Sequence, residues 1–294
     1  MLHLLQRGPA LSFLHGGTRA VRFCRVLHSS VLSFEGEEKT SHKLIREHTQ
    51  PTHFAELAGL GFHLITERCP LWRAKSSEAG PFPAPWWGFL WPGSYALCRY
   101  IAENPDTVRA HGVLDFAAGC GAAAIVAAQH GASRVVVNDI CTWALASAQL
   151  NIALNADALV CARDDPSATS FVLEPADIIG RQFPLHITPH TRDPAAPDTD
   201  HARGTDGSNG AADVPIDVVL AGDVMYEQPL ATHVMRWFRG LAAQGTCVLV
   251  GDPGRAFLPK AGEGLDRIAS YELPRHVADS SNGVHAGHVW QVLP

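Results

Sequence analysis

The chain has 294 residues, 46% of them hydrophobic and 18% charged, with a formal net charge of −6. That balance reads as a soluble globular protein with room for one large domain or two small ones. No apolar run reaches the ~18–20 residues of a membrane helix, and the acidic balance offers no footprint for a phosphate backbone; membrane-spanning and nucleic-acid-binding classes are set aside.

The charge is segregated. Residues 1–34 hold Arg7, Arg19, Arg22 and Arg25 and neither Asp nor Glu; setting them aside takes the net charge to −10. An arginine-bearing, acid-free leader of this kind matches a mitochondrial transit peptide, and the "RVLHSS" stretch resembles a matrix-peptidase cleavage site. The expected location is the mitochondrial matrix. Seven scattered cysteines without a C-x-x-C pair exclude a zinc ribbon or disulfide framework, and reduced thiols fit that compartment. His285 and His288 form an H-x-x-H without a third ligand, so no metal is expected.

Beyond the leader, "SHKLIREHT" and "FAELAGLGFHLI" read as short helices, making residues 35–92 a helical extension. Trp86, Trp87, Phe89 and Trp91 crowd the end of that extension, and Pro92-Gly93-Ser94 opens a helix closed by Asn104-Pro105. Strands and helices then alternate. "GVLDF", "RVVVNDI", "SFVLEPADIIG", "IDVVLAGD" and "TCVLVGD" supply strands; "AAAIVAAQHG", "WALASAQLNIALN" and "PLATHVMRWFRGLAAQG" supply helices. Such alternation predicts parallel strands with helices on both faces. "RIASYELP" and "GHVWQVLP" follow without an intervening helix, predicting an antiparallel pair around Asn282-Gly283. The fold class is therefore α/β: a Rossmann-like, seven-stranded, mostly parallel sheet with a C-terminal antiparallel hairpin. Residues 184–214, rich in Pro, Gly, Asp and Thr, read mostly as a disordered insertion.

The segment "VLDFAAGCGAAAI" carries the first site signal. Gly119-Cys120-Gly121 at a strand-to-helix turn lets backbone approach a ligand at a helix N-terminus, as in both dinucleotide and S-adenosylmethionine proteins. Asp115 ends the strand four residues earlier. A carboxylate there would repel a pyrophosphate but favour the ammonium and sulfonium of S-adenosylmethionine. Asp139, after the second strand, suits ribose hydroxyls, or else caps the next helix or sits in a turn. The antiparallel tail is the methyltransferase variant of the architecture. An NAD-dependent dehydrogenase is the competitor that Asp115 disfavours.

Other candidates sit at strand ends. Asp177, after the third strand, is placed to accept from an adenine amino group, or is an exposed loop acid. Asp223 and Tyr226 in "GDVMYE" follow the fourth strand, where open α/β sheets bind ligands; Asp223 suits an amine or the cofactor's cationic end, and an aromatic face such as Tyr226 attracts an ammonium. Arg255 in "GDPGR" would clamp a substrate carboxylate or pair with Asp252. Trp91 and its neighbours would cover the cofactor's methionine end, or pack in the core.

Taken together, "PFPAPWWGFLWPG", "VLDFAAGCGA", "VVVNDI", "DVVLAGDVMYE" and "LVGDPGR" resemble the electron transfer flavoprotein β-subunit lysine methyltransferases, a seven-β-strand family, over roughly residues 40–180 and 214–294. The resemblance implies a methyltransferase domain over 93–294. It implies S-adenosylmethionine held by Asp115, Gly119, Gly121 and Asp139, and a D-x-x-Y motif at Asp223 and Tyr226 with Asp223 close to the reacting centre. It also implies a mitochondrial flavoprotein subunit as the protein substrate. Ala117 departs from the glycine found there in many methyltransferases. A methyltransferase of another mitochondrial protein, such as a ribosomal protein, and a non-catalytic flavoprotein-binding module are the alternatives.

Overall fold

The computed structural model describes residues 40–74, 80, 82, 84–159, 169–187, 212–281 and 283–294. The leader and residues 188–211 of the expected insertion lie outside them.

The central strands are β3 (Gly112–Phe116), β4 (Arg134–Asn138), β5 (Ser170–Glu174), β8 (Val218–Gly222), β9 (Cys247–Asp252), β10 (Leu265–Glu272) and β11 (Ala286–Val292). Among the described residues they form one sheet in the order β10-β11-β9-β8-β3-β4-β5. The five strands from β9 to β5 pair in parallel, and β11 runs antiparallel to both β9 and β10. The expected architecture is present, and the chain's last strand lies inside the sheet. The expected direct connection between β10 and β11 contains a short helix, α7 (Arg275–Asp279).

Alternation along the strands divides the core. Val113, Val135, Val137, Leu220 and Leu249 pack on one side with α2 (Pro92–Glu103), α3 (Ala122–Gln129) and α4 (Thr142–Leu154). Leu114, Val136, Val219, Val248 and Val250 pack on the other with α6 (Leu230–Ala242). The stripe on α6 includes Val234, Trp237, Phe238 and Leu241, all buried; side chains of this kind contribute roughly 1.5–3 kcal/mol each on full burial.

The N-terminal extension is half sheet, which corrects the helical expectation. α1 (Thr40–His48) is a helix, but "FAELAGLGFHLI" belongs to an antiparallel hairpin of β1 (Gln50–Phe54) and β2 (Leu60–Leu64). Ala58 and Gly59 both adopt positive φ, breaking any helix between them. Phe54, Leu57, Leu60, Phe62 and Leu64 then enter the main core. Packing this hairpin and α1 onto α4 explains why α4 is apolar all round: Leu145, Ala148 and Ile152 face the sheet side, while Trp143, Ala144 and Leu150 join Ile45, Phe82 and Trp87. A four-residue helix, α5 (Ala156–Leu159), extends α4. Beyond β5, the two ends of the expected insertion pair as β6 (Leu185–Ile187) and β7 (Ala212–Val214), an antiparallel ribbon.

Candidate functional site

The carboxyl ends of β3, β4, β5, β8 and β9 form one edge, and each delivers a loop bearing candidate residues. Glycine makes the first loop possible. Gly119 and Gly121 have φ of +55° and +74°, a region that costs a side chain roughly 1–2 kcal/mol. The two glycines differ in what surrounds them. A Cβ on Gly119 would meet nothing closer than Trp87 Cα at 4.0 Å, so its side is an open cradle; a Cβ on Gly121 would lie 2.7 Å from Ala148 Cβ on α4. Gly119 thus has an open side, and Gly121 serves close packing of the turn on α4. Ala117, exposed, also has positive φ (+53°).

The acids around this turn hold backbone. Asp115 is buried and its Oδ2 accepts the Ala124 N–H at 2.9 Å, one turn into α3. Burial pushes its carboxyl up to about 8, against the pull of that hydrogen bond. Asp115, expected to face a cationic ligand, is buried at its strand's end and braces α3 from beneath. Asp139 Oδ2 accepts the Gly119 N–H at 3.0 Å and its Oδ1 accepts the Cys141 N–H at 2.9 Å, at the start of α4. It joins two loops and serves the turn role that was among its alternative readings; the N-cap position of α4 is Cys141. Asn138 donates to the carbonyls of Glu174 and Ala176 at 2.8 and 2.9 Å, tying β4 to the loop that carries Asp177. Asp177 itself is exposed and accepts the Ile179 N–H at 3.0 Å.

The second half of the edge is built by α2. Its capping position is Trp91, whose side chain supplies no acceptor to the helix. The missing acceptor comes from Asp223, just past β8: Oδ2 takes the Gly93 and Ser94 N–H groups at 2.5 and 3.2 Å. A carboxylate at a helix N-terminus is favoured by the dipole and the unpaired N–H groups. Asp223 Oδ1 takes Arg255 Nε and Nη2 at 3.0 and 2.6 Å. Burial raises the Asp223 carboxyl, opposed by Arg255 and the two backbone donors. Arg255 lies 5.8 Å from the Trp91 ring centroid. It pairs with Asp223, which corrects the expected Asp252 partner. Asp252 instead turns the chain, its Oδ1 accepting the Gly254 and Arg255 N–H groups at 2.7 Å each.

Asp223, expected close to the reacting centre, is committed to four donors: it locks α2 and Arg255 to the sheet edge. It does so at φ +60°, a conformation Asp tolerates better than most residues. Close approach is what permits the lock. A Cβ at Gly93 would sit 2.0 Å from Gly251 O, one at Gly222 would sit 2.2 Å from Ser94 Oγ, and one at Gly287 would sit 2.4 Å from Pro92 O. Sequence reasoning missed this set. Its signal was the repeated Gly-Asp ending of neighbouring strands, Gly222-Asp223 and Gly251-Asp252.

Trp91, Trp86 and Phe89 form an aromatic rim, with Trp91 ring centroids 6.0 Å from Trp86 and 5.5 Å from Phe89. Trp86 is 65% and Tyr226 54% exposed. The Tyr226 hydroxyl is raised by burial and by Glu227, with Asp139 also raising it and Arg255 opposing; Tyr226 lies within electrostatic reach of both halves of the edge. A separate cleft of about 590 Å³, lined by residues that include His111, Asp217 and Gln244, lies at the opposite, amino-terminal edge of the strands, away from these groups.

A profile of the ribosomal protein L11 methyltransferase (PrmA) family matches residues 96–179, from α2 through the loop after β5. Together with the sheet order, its antiparallel last strand and the glycine turn, this defines a methyltransferase of the seven-β-strand class. The chain is 31% identical over 265 residues to the electron transfer flavoprotein beta subunit lysine methyltransferase of Danio rerio, covering 88% of this chain and 86% of that one. It belongs to that family. The Homo sapiens relative of the same name is 29% identical over 254 residues, with 85% and 81% coverage. Among solved structures, a ribosomal protein L11 methylase from Lactobacillus delbrueckii subsp. bulgaricus superposes with a TM-score of 0.38 at 16% identity, covering 68% of this chain and 80% of that one.

Proposed function

We propose that this protein transfers methyl groups from S-adenosylmethionine to lysine side chains of the electron transfer flavoprotein β subunit, in the mitochondrial matrix. The observation that carries the reading is the convergence, at one sheet edge, of an open glycine cradle, the acids that hold its loops in place and an aromatic rim, in a chain of this family. The residues fit the cofactor. Gly119 leaves room for backbone approach. Asp139 and Asp177 lie at the loops after β4 and β5, and the one cation of the Asp223 lock, Arg255, is already neutralised.

When bound, S-adenosylmethionine supplies an electrophilic methyl group on a cationic sulfonium. The chain's own residues orient the acceptor and strip it of water. The exposed faces of Trp86 and Tyr226 attract an ammonium. A lysine attacks only as its neutral amine, and its ordinary pKa of ~10.4 falls when the group is buried beside another positive charge. Asp223 takes no proton in this scheme; with Arg255 it holds Trp91 and α2 in place. Positioning and desolvation supply the rate.

The test is incubation of the purified chain with S-adenosylmethionine and recombinant flavoprotein β subunit, read by intact-mass and peptide mass spectrometry. Methyl increments on lysine support the reading. Binding of S-adenosylhomocysteine with no incorporation into that subunit, but with incorporation into another matrix protein, would transfer the activity to that substrate. Absence of all incorporation would leave the non-catalytic binding module. Fusion of residues 1–34 to a reporter tests the location: a cytosolic reporter would refute it.

A further inference from the structure

We propose that Asn151 is a positioning residue for the cofactor turn, coupling the N-terminal hairpin to Gly119-Cys120-Gly121. This rests on the cofactor assignment above. Asn151 lies on α4 and is fully buried. Its Nδ2 donates to the Cys120 carbonyl at 2.9 Å, and its Oδ1 accepts the His63 N–H of β2 at 2.7 Å. Cys120 is the middle residue of the turn, flanked by two glycines of positive φ. Its carbonyl points into α4 rather than along a helix or strand, and Asn151 is the side chain that satisfies it.

The turn is thus held at successive points. Asp139 takes the Gly119 N–H, Asn151 donates to the Cys120 carbonyl, and Ala148, three residues before Asn151 on α4, sits beneath Gly121. Residues three or four apart share a helix face, so one face of α4 carries two of these three supports, and Asp139 supplies the third from the loop before it. Asn155, one turn further on, lies on that face but has a different job. Its Oδ1 accepts the Gly61 N–H at 2.9 Å and its Nδ2 donates to the Gly61 carbonyl at 2.7 Å. It fastens the hairpin without a hydrogen bond to the turn. Trp87 adds to the coupling from the same extension, since its Cα bounds the open side of Gly119.

The pair of asparagines makes a matched experiment on the full chain. Asn151→Asp keeps an oxygen for His63 and replaces the donor to Cys120; Asn151→Ala removes both contacts; Asn155→Ala removes two hairpin contacts and leaves the turn. Calorimetry with S-adenosylhomocysteine is expected to show Kd raised about tenfold in both Asn151 variants, the scale of one lost buried hydrogen bond, and within about twofold of the parent in Asn155→Ala, although urea unfolding shows Asn155→Ala destabilised. Hydrogen exchange without ligand gives a second readout: the Gly119 and Gly121 amides exchange faster in the Asn151 variants only. Unchanged Kd in Asn151→Ala, or equal weakening in Asn155→Ala, would overturn the proposal. Failure of the parent chain to bind S-adenosylhomocysteine would instead overturn the cofactor assignment; unchanged exchange at Gly119 and Gly121 in Asn151→Ala would then overturn the positioning role as well.

Discussion

Gly121→Ala probes the packing of the glycine turn directly. The new Cβ must sit at φ +74°, 2.7 Å from Ala148 Cβ and 3.2 Å from Ala148 Cα. The backbone contribution is about 1 kcal/mol, and forcing two small residues apart in a packed layer adds about 1–3 kcal/mol. The expected cost is about 2–4 kcal/mol, read by urea unfolding with linear extrapolation. Ala148→Gly removes the nearer contact and by itself costs about 1 kcal/mol as a glycine inside a helix. The double variant should be more stable than the sum of the singles by about 1–2 kcal/mol, because the steric part of the Gly121→Ala cost disappears while the backbone part remains. A coupling below about 0.5 kcal/mol, the scatter expected of independent sites, would refute the assignment of Gly121 to packing against α4. The cost would then be one of backbone conformation alone.

Three further outcomes follow from the same geometry. Ala117→Gly, at an exposed residue of φ +53°, should raise stability by about 0.5–1 kcal/mol by relieving a left-handed alanine; a loss in urea unfolding would contradict that account. Asp223→Ala orphans the Gly93 and Ser94 N–H groups and frees Arg255, with an expected cost of about 2–4 kcal/mol after allowing for the partial exposure of Arg255. A change under about 0.5 kcal/mol would dissolve the lock. The Asp115 carboxyl, raised by burial to about 8, binds its proton more tightly folded than unfolded. Its contribution is therefore fully present below about pH 4 and lost as pH rises through 8, at about 1.4 kcal/mol per unit as an upper limit. Asp115→Asn, which keeps an acceptor for Ala124, should gain on the parent between pH 5 and pH 8.5 in urea midpoints, and a constant difference would show that Asp115 is ionised throughout.

Much of the site is legible along the chain because strand ends announce themselves. Continuous apolar runs that stop at "FAAG", "VND", "AGD" and "VGD" mark four of the five carboxyl ends, and in a parallel sheet those ends share one edge. What each acid does there is not legible. Asp115, Asp139 and Asp223 all read as carboxylates facing a ligand; in the folded chain Asp115 props α3, Asp139 joins the Gly119 turn to the start of α4, and Asp223 caps α2 from 130 residues away. Hydrogen-bond partners so remote leave no local pattern. The hairpin of β1 and β2 was hidden for a related reason: "FAELAGLGF" has apolar residues at helical spacing as well as at alternating spacing, and docking onto Asn151 and Asn155 decides between them.

By itself the sequence determined the alternation of strand and helix, the parallel sheet that alternation requires, the glycine turn and the antiparallel tail, since each depends on residues close together in the chain. Only the tertiary structure decided that the last strand inserts beside β9, that Arg255 answers Asp223, and that α4 carries both the extension and the glycine turn. Those outcomes depend on buried groups finding their one available partner, and burial is a property of the folded whole.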